Sequence, residues 1–98
     1  WAMMERERLA MVYDSFAKRL ADWLLTRKRW REAAQIARRI VSRNEFEEES
    51  SLLLMKIFAA MGDWQSLHDY YEQYEVLLRQ ELGLQPSSKI QQLYMQWK

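Results

Sequence analysis

Apolar residues recur along most of this chain at spacings of three and four, as on helices with one greasy side. Between about Met3 and Thr26, the residues Leu9, Tyr13, Phe16, Leu20 and Leu24 draw one such stripe. Arg27, Lys28 and Arg29 follow, where cations favour the negative end of a helix. From about Trp30 to Ser42 the inward positions are Ala33, Ile36, Ala37 and Ile40. Ala33 and Ala37 lie one turn apart, and two small residues so placed let another helix come close. Asn44, with Glu47 three residues on, reads as a capping box opening a third helix. Glu45, Glu48 and Glu49 then fall in its first turn, where negative charge is favoured. Leu53, Leu54, Ile57, Phe58 and Met61 supply its apolar side.

Gly62 suits a helix C-cap because it tolerates positive φ, and Asp63 suits the N-cap of a fourth helix, from about Trp64 to Leu82. Trp64, Leu67, Tyr71, Tyr74, Leu78 and Leu82 form its stripe, and Gly83 ends it. Pro86 breaks the chain, Ser87 is the expected N-cap, and Lys89 to Trp97 make a short fifth helix with Ile90, Leu93, Tyr94 and Trp97 in a row. No segment alternates as a strand would. The expected fold is all-α, an array of antiparallel helical hairpins with about five helices.

The hairpins repeat. Lys28-Arg29-Trp30 and Gly62-Asp63-Trp64 occupy the same place between helices, 34 residues apart. At that offset Leu20 falls on Leu54, Leu24 on Phe58, Ala33 on Leu67 and Ala37 on Tyr71. Thirty-four is the length of the tetratricopeptide unit, which hides its apolar side by stacking on neighbours. The second unit replaces small residues by Leu67 and Tyr71, which should open the packing there. The concave side of such an array is lined by the first helix of each unit, and its outward candidates are Lys18, Asp22, Glu49, Lys56 and Ala59. Trp1, Trp23 and Trp97 are the aromatic residues expected to serve contacts, unless missing neighbours cover them.

Composition narrows the function. The 98 residues suit one domain, and two glycines with one proline fit neither an all-β architecture nor a disordered tail. The absence of cysteine removes disulfides, thiolate zinc sites and cysteine nucleophiles, and fits a reducing, cytoplasmic setting. No apolar run approaches the ~18 residues that span a membrane, and the start does not read as a signal peptide. Beginning with Trp1 suggests a piece of a longer protein. His68, the sole histidine, would need Asp69 and Glu72 to hold a metal, and a solvated helix residue is the plainer reading. No glycine-rich phosphate loop and no nucleophile turn occur, so no enzyme, cofactor or small-molecule substrate is expected.

The net charge of +1 hides two blocks. Arg27, Lys28, Arg29, Arg31, Arg38, Arg39 and Arg43 face one acid, Glu32, and are followed by Glu45, Glu47, Glu48 and Glu49. Arg27, Lys28, Arg31, Arg38 and Arg39 form a candidate auxiliary basic patch for nucleic acid. The competing reading is a solvated surface, with Arg38 and Arg39 paired to Glu47–Glu49 at ~0–1 kcal/mol per pair. Tyr70, Tyr71 and Tyr74 resemble a stacking platform, but Tyr71 and Tyr74 lie on the inward stripe, and a core role is favoured.

Glu81-Leu82-Gly83-Leu84-Gln85-Pro86-Ser87, followed by Leu93-Tyr94, resembles the "ELG-x-x-P-S … LY" ending of the bacterial transcriptional activator domain. Trp1-Ala2 with Glu5-Arg6-Glu7-Arg8-Leu9 and Tyr13, Ala37-Arg38-Arg39, Glu48 leading to Leu53-Leu54-Met55, Gly62-Asp63 and Tyr71 also agree. Asn44-Glu45 replaces a common Asp-Pro, and Ser88 a proline. The resemblance implies a tetratricopeptide-like domain lacking its first helices, beside a winged-helix DNA-binding domain, as in the Streptomyces antibiotic regulatory proteins. It implies regulation of transcription through self-association as a dimer, neighbouring domains or RNA polymerase, with DNA bound elsewhere in the protein. The receiver of a two-component system, a nucleotide-binding module or neither would fit beside it. The alternative is a generic tetratricopeptide scaffold that binds a partner peptide. The candidate interaction surface is Lys18, Asp22, Trp23, Glu49, Lys56 and Trp97.

Overall fold

A computed structural model describes the backbone of residues 2–97 and the side chains of residue 8 and residues 12–97. Among the described residues five helices follow one another: α1 (Ala2–Thr26), α2 (Trp30–Arg43), α3 (Glu48–Met61), α4 (Trp64–Leu82) and α5 (Ser88–Trp97). No strand occurs among the described residues. α2 packs on both α1 and α3, α4 packs on α3, and α5 returns against α3. Trp1 lies outside the described residues.

The repeat extends to the turns. After α1, the Arg29 N–H bonds to the Leu24 carbonyl at 2.9 Å and the Lys28 N–H to Leu25 at 3.1 Å. After α3, the Asp63 N–H bonds to Phe58 at 3.0 Å and the Gly62 N–H to Ala59 at 3.1 Å. These are the same two bonds of the same left-handed helix ending, at the same offset. Gly62 takes φ 74° there, and Lys28, where a glycine is usual, takes φ 62°. The loop geometry persists where the glycine does not.

The two hairpins close differently. Ala17 and Ala21 of α1 and Ala33 and Ala37 of α2 are all buried, and α1 and α2 pack extensively, as small residues on both helices allow. α3 and α4 meet through Met55, Phe58, Leu67 and Tyr71, and their contact is less extensive, as the larger residues predict. α5 is pinned by Ile90, fully buried, and by Tyr94, which stacks flat on Tyr71 with ring centroids 3.9 Å apart. Tyr74 is also buried, and Tyr70, half-buried, donates from its hydroxyl to Ser51 Oγ at 2.8 Å. The tyrosines are core.

The start of α3 differs from expectation. Asn44 is the C-cap of α2: its backbone N–H still bonds to the Ile40 carbonyl. Its side-chain amide donates to Asp14 Oδ2 at 3.0 Å, which ties α2 back to α1. Glu47 is the residue before α3, and its carboxylate is engaged by Lys18 rather than by a capping bond. Glu48 and Glu49 do fall in the first turn. Asp63 caps α4 as expected, accepting from the Ser66 N–H at 3.1 Å, and those bonds from Ser66 hold its carboxyl below the usual range. Ser87 caps α5, its Oγ accepting from the Ile90 N–H.

The stripe on α1 is the larger correction. Leu24 is buried, yet Tyr13 and Phe16 stand 50% and 64% exposed, and Val12 beside them 63%. Leu9 is outside the described side chains. The buried side of α1 is instead Ala17, Ala21 and Leu24, because α2 covers α1 from that direction only. In α3 two directions are covered. Ser50, Leu54 and Ile57, the 34-residue mates of Phe16, Leu20 and Trp23, are all buried beneath the first hairpin. An apolar stripe marks the side a helix can bury, and whether it does depends on a neighbour.

Candidate interaction surfaces

Three surfaces follow from this stacking. The first is the uncovered side of α1, with Val12, Tyr13, Phe16 and Trp23 exposed along it. Arginines edge it: Arg27 lies over the Trp23 ring at 5.0 Å and Arg43 over Tyr13 at 5.0 Å. Such contacts hold the rings in place at ~0.5–1 kcal/mol each without removing their outer faces from water. Trp23 therefore sits here, apart from the other residues expected to form one interaction surface. The 34-residue offset carried the signal, since it pairs Phe16 with Ser50 and Trp23 with Ile57.

The second surface is a groove of about 630 Å³ bounded by α1, α3 and α5. It brings together Lys18, Asp22, Glu49 and Lys56, four of the five residues expected on the concave side, with Trp97, one of the aromatic residues expected to serve contacts. Leu52 and Leu53 lie along α3 and Leu93 along α5, which gives the groove an apolar lining. Ala59, expected to face outward there, is partly buried against the core instead. Its neighbour Phe58 is buried, and Ala59 lies in the last turn of α3, beyond the groove.

Charges in the groove are arranged, not scattered. Lys18 bonds Glu47 and lies 3.6 Å from Glu49. Partial burial works against its charge, but the Glu47 bond and the field of both carboxylates hold its pKa above the ordinary lysine value. Lys56 lies 3.8 Å from Asp22, both more than half exposed, so that pair contributes little.

The third surface is a cleft of about 460 Å³ between α2 and α4, with Leu54, Phe58 and Tyr74 among its lining. Arg38 reaches over the Phe58 ring there, 5.4 Å from its centre. The expected pairing of Arg38 and Arg39 with Glu47–Glu49 does not form. Lys18 takes Glu47 and Glu49, Ser87 bonds Glu48, and Arg38 turns to α3 and α4. Nor do the basic residues make one stripe. Arg27 stacks on Trp23, Arg29 bonds Glu32 at 2.7 Å, and Lys28, Arg31 and Arg39 point separately into solvent. His68 bonds the Tyr94 hydroxyl and lies 3.0 Å from Glu72, bridging α4 to α5. Among the described residues no cluster of His, Asp or Glu has a metal-holding arrangement, and no helix is long and apolar enough to cross a membrane.

A helical array with open outer faces is a shape for contact. The sequence profile of the bacterial transcriptional activator domain matches residues 1–97. The chain belongs to that family. No curated protein and no solved structure matches it in comparison. Membership makes this a regulatory domain of a transcriptional activator, and the closing stretch Gly83 to Ser87 takes its meaning from the fold. Gly83 ends α4 in the left-handed conformation, Pro86 is buried, and Ser87 starts α5. That turn returns α5 across the array so that Tyr94 meets Tyr71 and Trp97 reaches the groove. The family's ending is thus what closes the groove.

Proposed function

We propose that this chain is the protein-interaction and dimerisation module of a cytoplasmic bacterial transcriptional regulator, coupled to a separate winged-helix DNA-binding domain. The open side of α1 supports the reading. Phe16 and Trp23 stand in water where their equivalents in α3, Ser50 and Ile57, are buried, Val12 is exposed beside them, and large apolar residues grouped in this way mark a place of contact. The mechanism is a population shift. Contact through α1 favours the arrangement in which paired DNA-binding domains match two half-sites. DNA is bound by the other domain, and the separate placement of the arginines supports this division.

Sedimentation of the full-length regulator, beside a Val12→Glu/Phe16→Glu variant, tests the proposal. The wild type is expected to dimerise and the variant to dissociate, with weaker promoter binding at matched concentration. A strict monomer whose promoter binding survives removal of this domain would refute it. The groove favours a second reading, capture of a partner segment, and it lies on a different side of α1.

A further inference from the structure

At 100° per residue Asp22 and Lys18 lie about 120° and 160° around α1 from Phe16, so the floor of the groove and the open side of α1 face different neighbours, and Arg19, about 60° from Phe16, stands on the edge between them. The groove holds four cations, Lys18, Arg19, Lys56 and Lys89, against two carboxylates, Asp22 and Glu49. Lys18 is occupied by Glu47 and Glu49, and Lys56 has only the long contact to Asp22. Arg19 and Lys89 have no acidic partner among the described residues. They approach the groove from opposite walls, α1 and α5. Between them lie Leu52, Leu53, Leu93 and Trp97, each partly exposed.

We propose that this groove binds a short acidic segment of a partner protein, one that carries apolar side chains between its carboxylates. The apolar side chains cover the leucines and Trp97, and the carboxylates meet Arg19, Lys89 and Lys56. Opposite charge across such a contact speeds encounter and rejects partners of the wrong sign. A nucleic acid fits poorly. Trp97 is the single ring among the groove's lining residues on which a base stacks, the leucines offer none, and Asp22 and Glu49 would face phosphates. The occupant is a polypeptide.

Fluorescence anisotropy with the 98-residue chain tests this. The probe is a labelled 14-residue peptide of glutamates with leucine or phenylalanine at every third or fourth position. Two companions carry serine or lysine in place of every glutamate. The acidic peptide is expected to bind saturably, and more weakly as salt rises. The serine version should bind at least tenfold more weakly and the lysine version not at all. Arg19→Glu with Lys89→Glu should weaken the acidic peptide at least tenfold, with the helical circular dichroism and melting curve retained. Arg31→Glu with Arg39→Glu, on solvent-facing positions of α2, should leave it unchanged. Failure of the acidic peptide to saturate, equal binding of the serine version, or indifference to the Arg19/Lys89 change overturns the proposal. So does displacement of the peptide by a 14-nucleotide single strand. The Val12→Glu/Phe16→Glu variant should still bind the peptide, which separates this result from the fate of the dimerisation reading.

Discussion

Lys28 offers the sharpest test of the repeat. It holds φ 62° in the turn where its mate, Gly62, holds φ 74°. A left-handed conformation places Cβ against the following carbonyl, at ~1–2 kcal/mol for a residue with a side chain. Glycine escapes that strain but loses more freedom on folding, which offsets ~0.4–1 kcal/mol of the gain. Losing one cation beside the end of α1 subtracts a few tenths more, although Arg27 and Arg29 remain. Lys28→Gly should therefore stabilise the chain by about 0.5–1 kcal/mol, a rise of about 2–8 °C in Tm for a domain of this size. Gly62→Lys should do the reverse. A Cβ built at Gly62 meets nothing within 4 Å, so the loss is one of backbone conformation alone. Thermal unfolding of the two single variants and the exchanged pair measures this directly. The exchanged pair should melt close to the wild type, because the sites are separate and their effects add. A lowered Tm for Lys28→Gly, or no change for Gly62→Lys, would refute the equivalence of the turns.

Two further predictions concern the core and its edge. Ile57→Ala should cost about 2–5 kcal/mol in denaturant unfolding because Ile57 is fully buried, whereas Trp23→Ala, at the matching position of α1, should cost about 1 kcal/mol or less. Equal losses would show that the side of α1 is covered within the chain. Burial pushes Tyr70 up from 10.0 to about 12, against the opposing effect of its bond to Ser51. Its neutral form is thus favoured by folding, a contribution fully present below pH 10 and lost as pH rises toward about 12, at about 2–3 kcal/mol. Tyr70→Phe should flatten the fall of stability over that window, read by chemical unfolding at pH 9, 10 and 11.

Much of this was legible in the sequence because helix punctuation is local. Gly62, Asp63, Gly83 and Ser87 act at their own positions, and each does so where the residue type implies. The concave residues Lys18, Asp22, Glu49 and Lys56 meet because the 34-residue offset sets the register of α1 against α3, and Trp97 joins them from α5. What escaped depends on choices between partners. Asn44 has a side chain able to cap either helix, and Asp14, distant in sequence, decides that it closes α2. Lys18, from α1, takes Glu47 and Glu49, while Arg38 lies over the Phe58 ring and Arg39 stays in solvent. Phe16 carries no mark of whether a neighbour covers it.

The mates of Phe16 and Trp23 also limit what can cover them. Beneath the first hairpin the position of Phe16 is taken by Ser50, which is fully buried, so that covering surface comes close and leaves room only for a small side chain. Laid on α1 in the same way, such a surface would collide with Phe16, which carries a benzyl ring where Ser50 has a hydroxyl. The body that covers α1 must therefore be recessed at Phe16 or stand further off than α2 stands from α3. Two copies of α1 packed side by side meet that condition, since aromatic side chains from each helix then fill a wider seam. Phe16→Ser separates the two geometries. It should weaken a seam built on the ring, yet favour a surface shaped like the underside of the first hairpin, so self-association that strengthens in Phe16→Ser would exclude α1-to-α1 pairing.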